Sequence, residues 1–183
     1  MSRFMIASDL HGDAICTELL LKRYAASGAE RLILLGDLLY HGPRNDLPSG
    51  YAPKKCIELL NGVKDQLLSV RGNCDTEVDQ MVLSFPILAD YAFISADGLS
   101  VFATHGHNFN LQKLPPLKKG DILLHGHTHV PATVSFGDEN LYINPGSTSI
   151  PKENSPKSYV IYENRCFSFR DLETGEEYKS YTV

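Results

Sequence analysis

An α/β first half followed by a β-rich second half predicts two packed sheets flanked by helices. Three observations carry that expectation. Strand, helix and strand patterns alternate up to Val70. From Tyr91 onward the chain reads as short strands separated by turn signals. Five apolar runs break directly into residues of metal-ligand type.

The elements follow in order. A first strand is predicted at Phe4–Ser8, and a helix at Ala14–Ser27 with Ile15, Leu19, Leu20 and Tyr24 near helical spacing. Asp13 suits its N-cap and Ser27-Gly28 its stop. A second strand spans Arg31–Leu35, so this opening unit implies a parallel pair joined by a crossover. Two prolines and two glycines make Tyr40–Gly50 an irregular loop, and loops of that length inside compact domains are often functional. Pro53 opens a helix carrying Cys56, Ile57, Leu60 and Val63, which Asn61-Gly62 ends. Leu67–Val70 is the third strand, and a short polar helix covers Glu77–Leu83 before Pro86. The later strands are predicted at Tyr91–Ser95, Leu99–Thr104, Ile122–Leu124, Thr133–Phe136, Leu141–Ile143, Ser158–Tyr162 and Cys166–Arg170. The charged tail from Asp171 to Lys179 reads as a solvated face.

Composition bounds the function. The 183 residues suit a single domain, 1–183, and 43% hydrophobic with 21% charged residues is near the soluble globular average. A net charge of −5 without a Lys/Arg block disfavours nucleic acid as partner. Cys16, Cys56, Cys74 and Cys166 show no CxxC spacing, which suits reduced thiols better than a disulfide framework. The N-terminal apolar run is shorter than a signal-peptide core and no stretch approaches a membrane span, so a cytoplasmic protein with no membrane partner is expected.

The apolar runs end in Asp9-Leu10-His11, Gly36-Asp37, Gly72-Asn73-Cys74-Asp75, His105-Gly106-His107 and His125-Gly126-His127-Thr128-His129. Ligands of open α/β sheets gather at the carboxyl ends of strands, where all of these lie. In an extended strand Asp9 and His11 would share one face and grip one ion together. Carboxylate, amide oxygen and imidazole suit Mn²⁺, Fe²⁺ or Zn²⁺. Asp9, His11, Asp37, Asn73, His105, His127 and His129 make seven donors, too many for one ion. Two ions bridged by a carboxylate use them all. Two aspartates cancel only part of the charge of two divalent cations. The surplus favours an anionic substrate and a metal-bound hydroxide, hence a phosphoester.

In order and across most of the chain, Asp9-x-His11, Gly36-Asp37, Gly72-Asn73, His105 and Gly126-His127-x-His129 resemble the calcineurin-like metallophosphoesterases. His41-Gly42-Pro43-Arg44-Asn45 and Asn144-Pro145-Gly146-Ser147 look closer still to bacterial phosphodiesterases of that family. The resemblance implies a four-layer αββα sandwich of two mixed sheets and a dinuclear site favouring Mn²⁺, with Zn²⁺, Fe²⁺ or Ni²⁺ as alternatives. One ion would be held by Asp9, His11, Asp37 and His129, the other by Asp37, Asn73, His105 and His127, with Asp37 bridging. It also implies a dimer or tetramer.

One position departs from the family pattern. Many relatives carry a histidine after the metal-binding asparagine, thought to protonate the leaving group; here it is Cys74, a different acid whose pKa two nearby cations would lower. Arg44 is weighed as a phosphate clamp against a solvated loop charge or subunit contact. His107 and His125 are weighed as supports or pocket wall against a plain structural role. His41 stays ambiguous, Asp75 is expected to cap the helix after Asn73, and Asn144–Ser147 is expected to be a tight turn. The leading function is a metal-dependent phosphodiesterase acting on a small phosphoester. The alternatives are a phosphomonoesterase, or a non-catalytic interaction scaffold of the same fold.

Overall fold

The computed structural model describes residues 2–183. Its strands are β1 (Arg3–Ala7), β2 (Arg31–Leu34), β3 (Leu67–Ser69), β4 (Tyr91–Ala96), β5 (Leu99–Thr104), β6 (Ile122–Leu124), β7 (Ala132–Phe136), β8 (Asn140–Asn144), β9 (Ser158–Glu163), β10 (Cys166–Asp171) and β11 (Glu177–Thr182). The helices are α1 (Ala14–Ser27), α2 (Pro53–Asn61) and α3 (Glu77–Val82). Six strands form one mixed sheet in the order β11-β10-β9-β1-β2-β3, and five form a second in the order β4-β5-β6-β8-β7. Two mixed sheets packed together are the architecture expected from the sequence.

Alternation along the strands builds the layers. On β1 and β2, Met5, Ala7, Leu32 and Leu34 face the helices, where Leu20, Cys56 and Leu60 meet them. Their neighbours Ile6 and Ile33 face the other way, against Val101, Ile122, Leu124 and Ile143 of the second sheet. The outer face of that second sheet carries Phe102, Leu123 and Tyr142, covered by Phe109, Leu111 and Leu117 from the irregular segment 105–121. Helices therefore flank the six-stranded sheet, and a non-helical segment covers the five-stranded one.

Local chemistry sets the helix ends. The Asp13 carboxylate accepts from Cys16 N at 2.9 Å, and Gly28 takes φ 71° at the other end of α1. Thr76 and Asp79 form a reciprocal capping box on α3. Thr76 is thus the N-cap, in place of Asp75. The charged tail is also more ordered than expected: residues 177–182 form β11, an edge strand paired with β10, though its side chains do stay exposed.

Both sheets aim at one place. β1, β2 and β3 run parallel in the first sheet, and β5, β6 and β8 run parallel in the second. The loops leaving β1, β2, β3, β5 and β6 carry the seven donor-type residues.

Candidate metal centre

The structure brings those residues together at the ends of both sheets. Asp9 and His11 do not share the face of an extended strand, because β1 stops at Ala7. Both adopt left-handed backbone, with φ of 57° and 47°, as do Asp37 at 56°, His127 at 67° and His129 at 62°. Such conformations are costly for non-glycine residues and collect at functional sites. Here the surrounding hydrogen bonds hold them. Asp9 N and His11 N donate to Gly36 O and Asp37 O at 3.1 and 2.9 Å, which carries the β1–β2 pairing into the loops.

The run after β8 secures the same loop. Ser147 Oγ and Ser149 Oγ each donate to Asp9 O at 2.9 Å, and Thr148 N donates to Ser8 O at 3.0 Å. Asn144 Nδ2 reaches across to Gly126 O at 2.9 Å. The Asn-Pro-Gly-Ser turn is therefore a clamp between the loops bearing Asp9 and His127. Ser147 belongs to the run that the family resemblance singles out, whereas nothing in the residue types signalled Thr148 and Ser149.

Asp75 has a similar task. Its carboxylate accepts from Asp37 N at 2.9 Å, Gly72 N at 2.7 Å and Leu38 N at 2.8 Å. It ties the loop after β2 to the loop after β3 and so sets Asp37 against Asn73. Burial pushes this carboxyl up to about 6, aided by the nearby Asp37 charge and opposed by the three N–H donors.

Within the centre the donor atoms form two groups. In the first, Asp9 Oδ1 lies 3.3 Å from His129 Nε2 and 3.6 Å from His11 Nε2, and the two imidazole nitrogens are 3.3 Å apart. In the second, His105 Nε2 lies 3.1 Å from both Asn73 Oδ1 and His127 Nδ1. Asp37 Oδ2 belongs to both groups, at 3.8 Å from His11 Nε2 and 3.4 Å from His105 Nε2. Its partner oxygen Oδ1 accepts from Cys74 N at 2.8 Å.

The far sides of the rings fix their tautomers. Nδ1 of His11, His105 and His129 faces Tyr40 O, Leu35 O and Ile150 O at 2.8, 2.7 and 2.7 Å. A carbonyl only accepts, so each Nδ1 carries a proton and Nε2 is the nitrogen offered inward. Metal-bound histidines show this arrangement.

These residues fit divalent cations on three grounds. The donors are imidazole nitrogen, carboxylate oxygen and amide oxygen. Their mutual spacings near 3.3 Å suit atoms about 2.1 Å from a common ion. Asp9 is fully buried, yet its Oδ1 has no hydrogen-bond partner, a deficit that a cation would meet. Burial works to raise the Asp9 carboxyl, but His11 and His129 outweigh it and hold it well below the usual carboxylate range. His105 is raised to about 9, because Asp37 and Asp9 overcome the opposing effect of burial. Burial takes His127 down to about 4.

The remaining expected residues divide. A cavity of about 420 Å³ opens over His11, Asp37, Asn73, His127 and His129, and Arg44 and Cys74 line it together with Lys152. In the metal-free chain, burial and the Asp37 charge push the Cys74 thiol up. His107 does not line that cavity; its ring packs 5.4 Å from that of His105. His125 stacks on Tyr142 at 4.4 Å, and burial lowers it to about 4. His41 packs edge-on against Tyr40 and Tyr51 and belongs to neither donor group. All four cysteines are free thiols.

Comparison with known proteins places the chain in a family. The family model of the calcineurin-like phosphoesterase superfamily domain matches residues 3–165. Phosphodiesterase YfcE of Escherichia coli (strain K12) is 49% identical over 168 residues, covering 92% of this chain and 91% of that protein. The solved structure of YfcE, described as a phosphoesterase from E. coli, matches with a TM-score of 0.95 at 45% identity over 99% of each chain. Vacuolar protein sorting 29 of Cryptosporidium parvum, at 17% identity and TM-score 0.64 over 100% of this chain and 98% of that one, shares the fold.

Proposed function

The chain belongs to the calcineurin-like phosphoesterase superfamily, and from that membership and the donor geometry we propose that it is a metal-dependent phosphodiesterase acting on a small phosphoester. As a member of that family it is a hydrolase of phosphoester bonds. The observation that carries the metal reading is Asp37 Oδ2, one carboxylate oxygen standing within reach of His11 on one side and His105 on the other.

In this reading Asp9, His11, Asp37 and His129 would hold one divalent cation, and Asp37, Asn73, His105 and His127 would hold a second. When bound, a pair of cations such as Mn²⁺ supplies Lewis-acid stabilisation of charge on the phosphoryl oxygens. The chain's own groups do the rest. The Nδ1–H bonds to Tyr40 O, Leu35 O and Ile150 O hold the imidazoles in the tautomer that offers Nε2 inward. Arg44 and Lys152, at the same cavity, give an anionic ester two positive groups to bind, and the planar guanidinium suits two phosphoryl oxygens. The Cys74 thiol lies beside Asp37 at the wall of the same cavity, where it would be the group placed to give a proton to a departing oxygen.

The test is a screen of metal-stripped protein with Mn²⁺, Zn²⁺, Mg²⁺ and Ni²⁺ against a matched phosphate monoester and diester. Mn²⁺ should restore the greatest activity, the diester should have the higher kcat/KM, and titration should end at two ions per chain. An endpoint of one ion, or no ester cleaved with any metal, refutes the proposal.

A further inference from the structure

A second cavity, of about 360 Å³, shares Cys74 with the cavity over the donor groups. It is lined by Tyr40 and Tyr51 from the long loop, Ile57 from α2 and Val78 and Val82 from α3, with Cys74 common to both cavities. Its size falls in the range of small-molecule sites, and its lining is mostly apolar. Several of these side chains stand in water: Val78 is 69% exposed, Val82 43% and Tyr40 41%. Covering them with an apolar group is favourable in proportion to the area removed from water.

We propose that this cavity is the leaving-group subsite of the enzyme and selects phosphodiesters whose departing alcohol is a flat, apolar aromatic group. The inference rests on the phosphoester-hydrolase reading above and extends it to substrate class. Continuity names the occupant. Cys74 lines both cavities, so the apolar one adjoins the cavity over Asp37 and Asn73 where a phosphoryl group would sit, and a group attached to phosphorus through oxygen is the neighbour it would take. Two tyrosine rings and aliphatic side chains from two helices suit the faces of a flat ring system. The first cavity has the opposite character, with Arg44, Asn45, Lys152 and three histidines in its lining. The two cavities thus match the anionic and apolar parts of one ester.

Two esters separate recognition from reactivity: 2-naphthyl and hexafluoroisopropyl diesters of methyl phosphate, whose departing alcohols are of similar acidity. The wild-type enzyme should favour the naphthyl ester at least tenfold in kcat/KM. Val78→Trp, which fills the cavity from an exposed helical position outside both donor groups, should cut that preference to about twofold or less. Binding is read separately on metal-free protein, by methyl NMR during titration with 2-naphthol. Ring-current shifts are expected at Ile57, Val78 and Val82 and should vanish in Val78→Trp. Equal turnover of both esters by the wild type, a preference untouched by Val78→Trp, or no methyl shifts overturns the subsite. So does a change of oligomeric state in Val78→Trp with the preference intact, which would give this face to a second copy of the chain. If neither ester is cleaved with any ion, the hydrolase reading fails instead, and the NMR titration still decides the cavity.

Discussion

His105 sits fully buried between two carboxylates, and its imidazole is raised to about 9 by Asp37 and Asp9 against the pull of burial. At neutral pH, metal-free protein therefore carries a proton on the ring. Nδ1–H is committed to Leu35 O, so the extra proton is on Nε2, the atom that an ion would need. Metal uptake must displace it. Affinity should thus rise with pH, by about tenfold per unit below 9, and flatten above that value. Calorimetry of Mn²⁺ binding at pH 7 in buffers of different ionisation enthalpy should find at least one proton released per chain. His127, near 4, is already neutral there and releases none. A binding constant independent of pH from 6 to 9 would remove His105 from the set. The donors were legible in the sequence because each follows directly on an apolar run, where residue type alone announces chemistry. The clamping roles of Asp75, Ser147 and Ser149 were not, because their task is to receive or give backbone hydrogen bonds across long sequence separations.

At the scale of elements, the strands were easier to read than the turns leaving them. Alternation on β1 and β2 separates helix-facing from sheet-facing residues as the pattern implies. The convergence of Asp9 and His11 was anticipated correctly, but by the wrong route: left-handed turns do what strand alternation was expected to do. No single-residue signal marks a left-handed Asp or His; the close backbone approaches around it impose that geometry. β11 was missed for the opposite reason. All six of its residues are exposed, so it lacks the buried face that reveals a strand, and only its contacts with β10 order it. The close approaches make a prediction of their own. A Cβ on Gly72 would fall on the Asp37 carboxylate and backbone nitrogen. Gly72 needs no left-handed backbone, so Gly72→Ala tests packing alone. The loop or Asp37 must shift, and metal affinity should fall at least tenfold, with a stability loss of about 1–3 kcal/mol. Metal titration and thermal unfolding of the same variant measure both. Unchanged affinity would show that the β2 and β3 loops need not stay in register.

For the molecule as a whole, the donors divide by sheet. Asp9, His11, Asp37 and Asn73 follow strands of the six-stranded sheet, whereas His105, His127 and His129 follow strands of the five-stranded one. Each donor group contains residues from both sheets. Bound ions would therefore cross-link the two halves of the sandwich at one end, over a core of Ile6, Ile33, Val101 and Leu124 that already joins them. Unfolding would separate the groups and destroy the proposed sites, so ions would bind the folded chain far better than the unfolded one. At a free ion concentration a hundred times Kd, one site adds about 2.7 kcal/mol of stability. For a domain of this size each kcal/mol moves Tm by about 2–4 °C, so filling one site should raise Tm by about 5–11 °C. A second site at similar saturation adds a comparable step. The measurement is thermal unfolding of metal-stripped protein across a Mn²⁺ titration, with EDTA to reverse it. Removing a donor from the first sheet (Asp9→Asn) or the second (His127→Asn) should blunt the rise in both cases, because each group draws on both sheets. A Tm indifferent to Mn²⁺ would mean that the donors converge without holding ions across the sandwich. A rise lost in only one of the two variants would mean that a single sheet carries the binding.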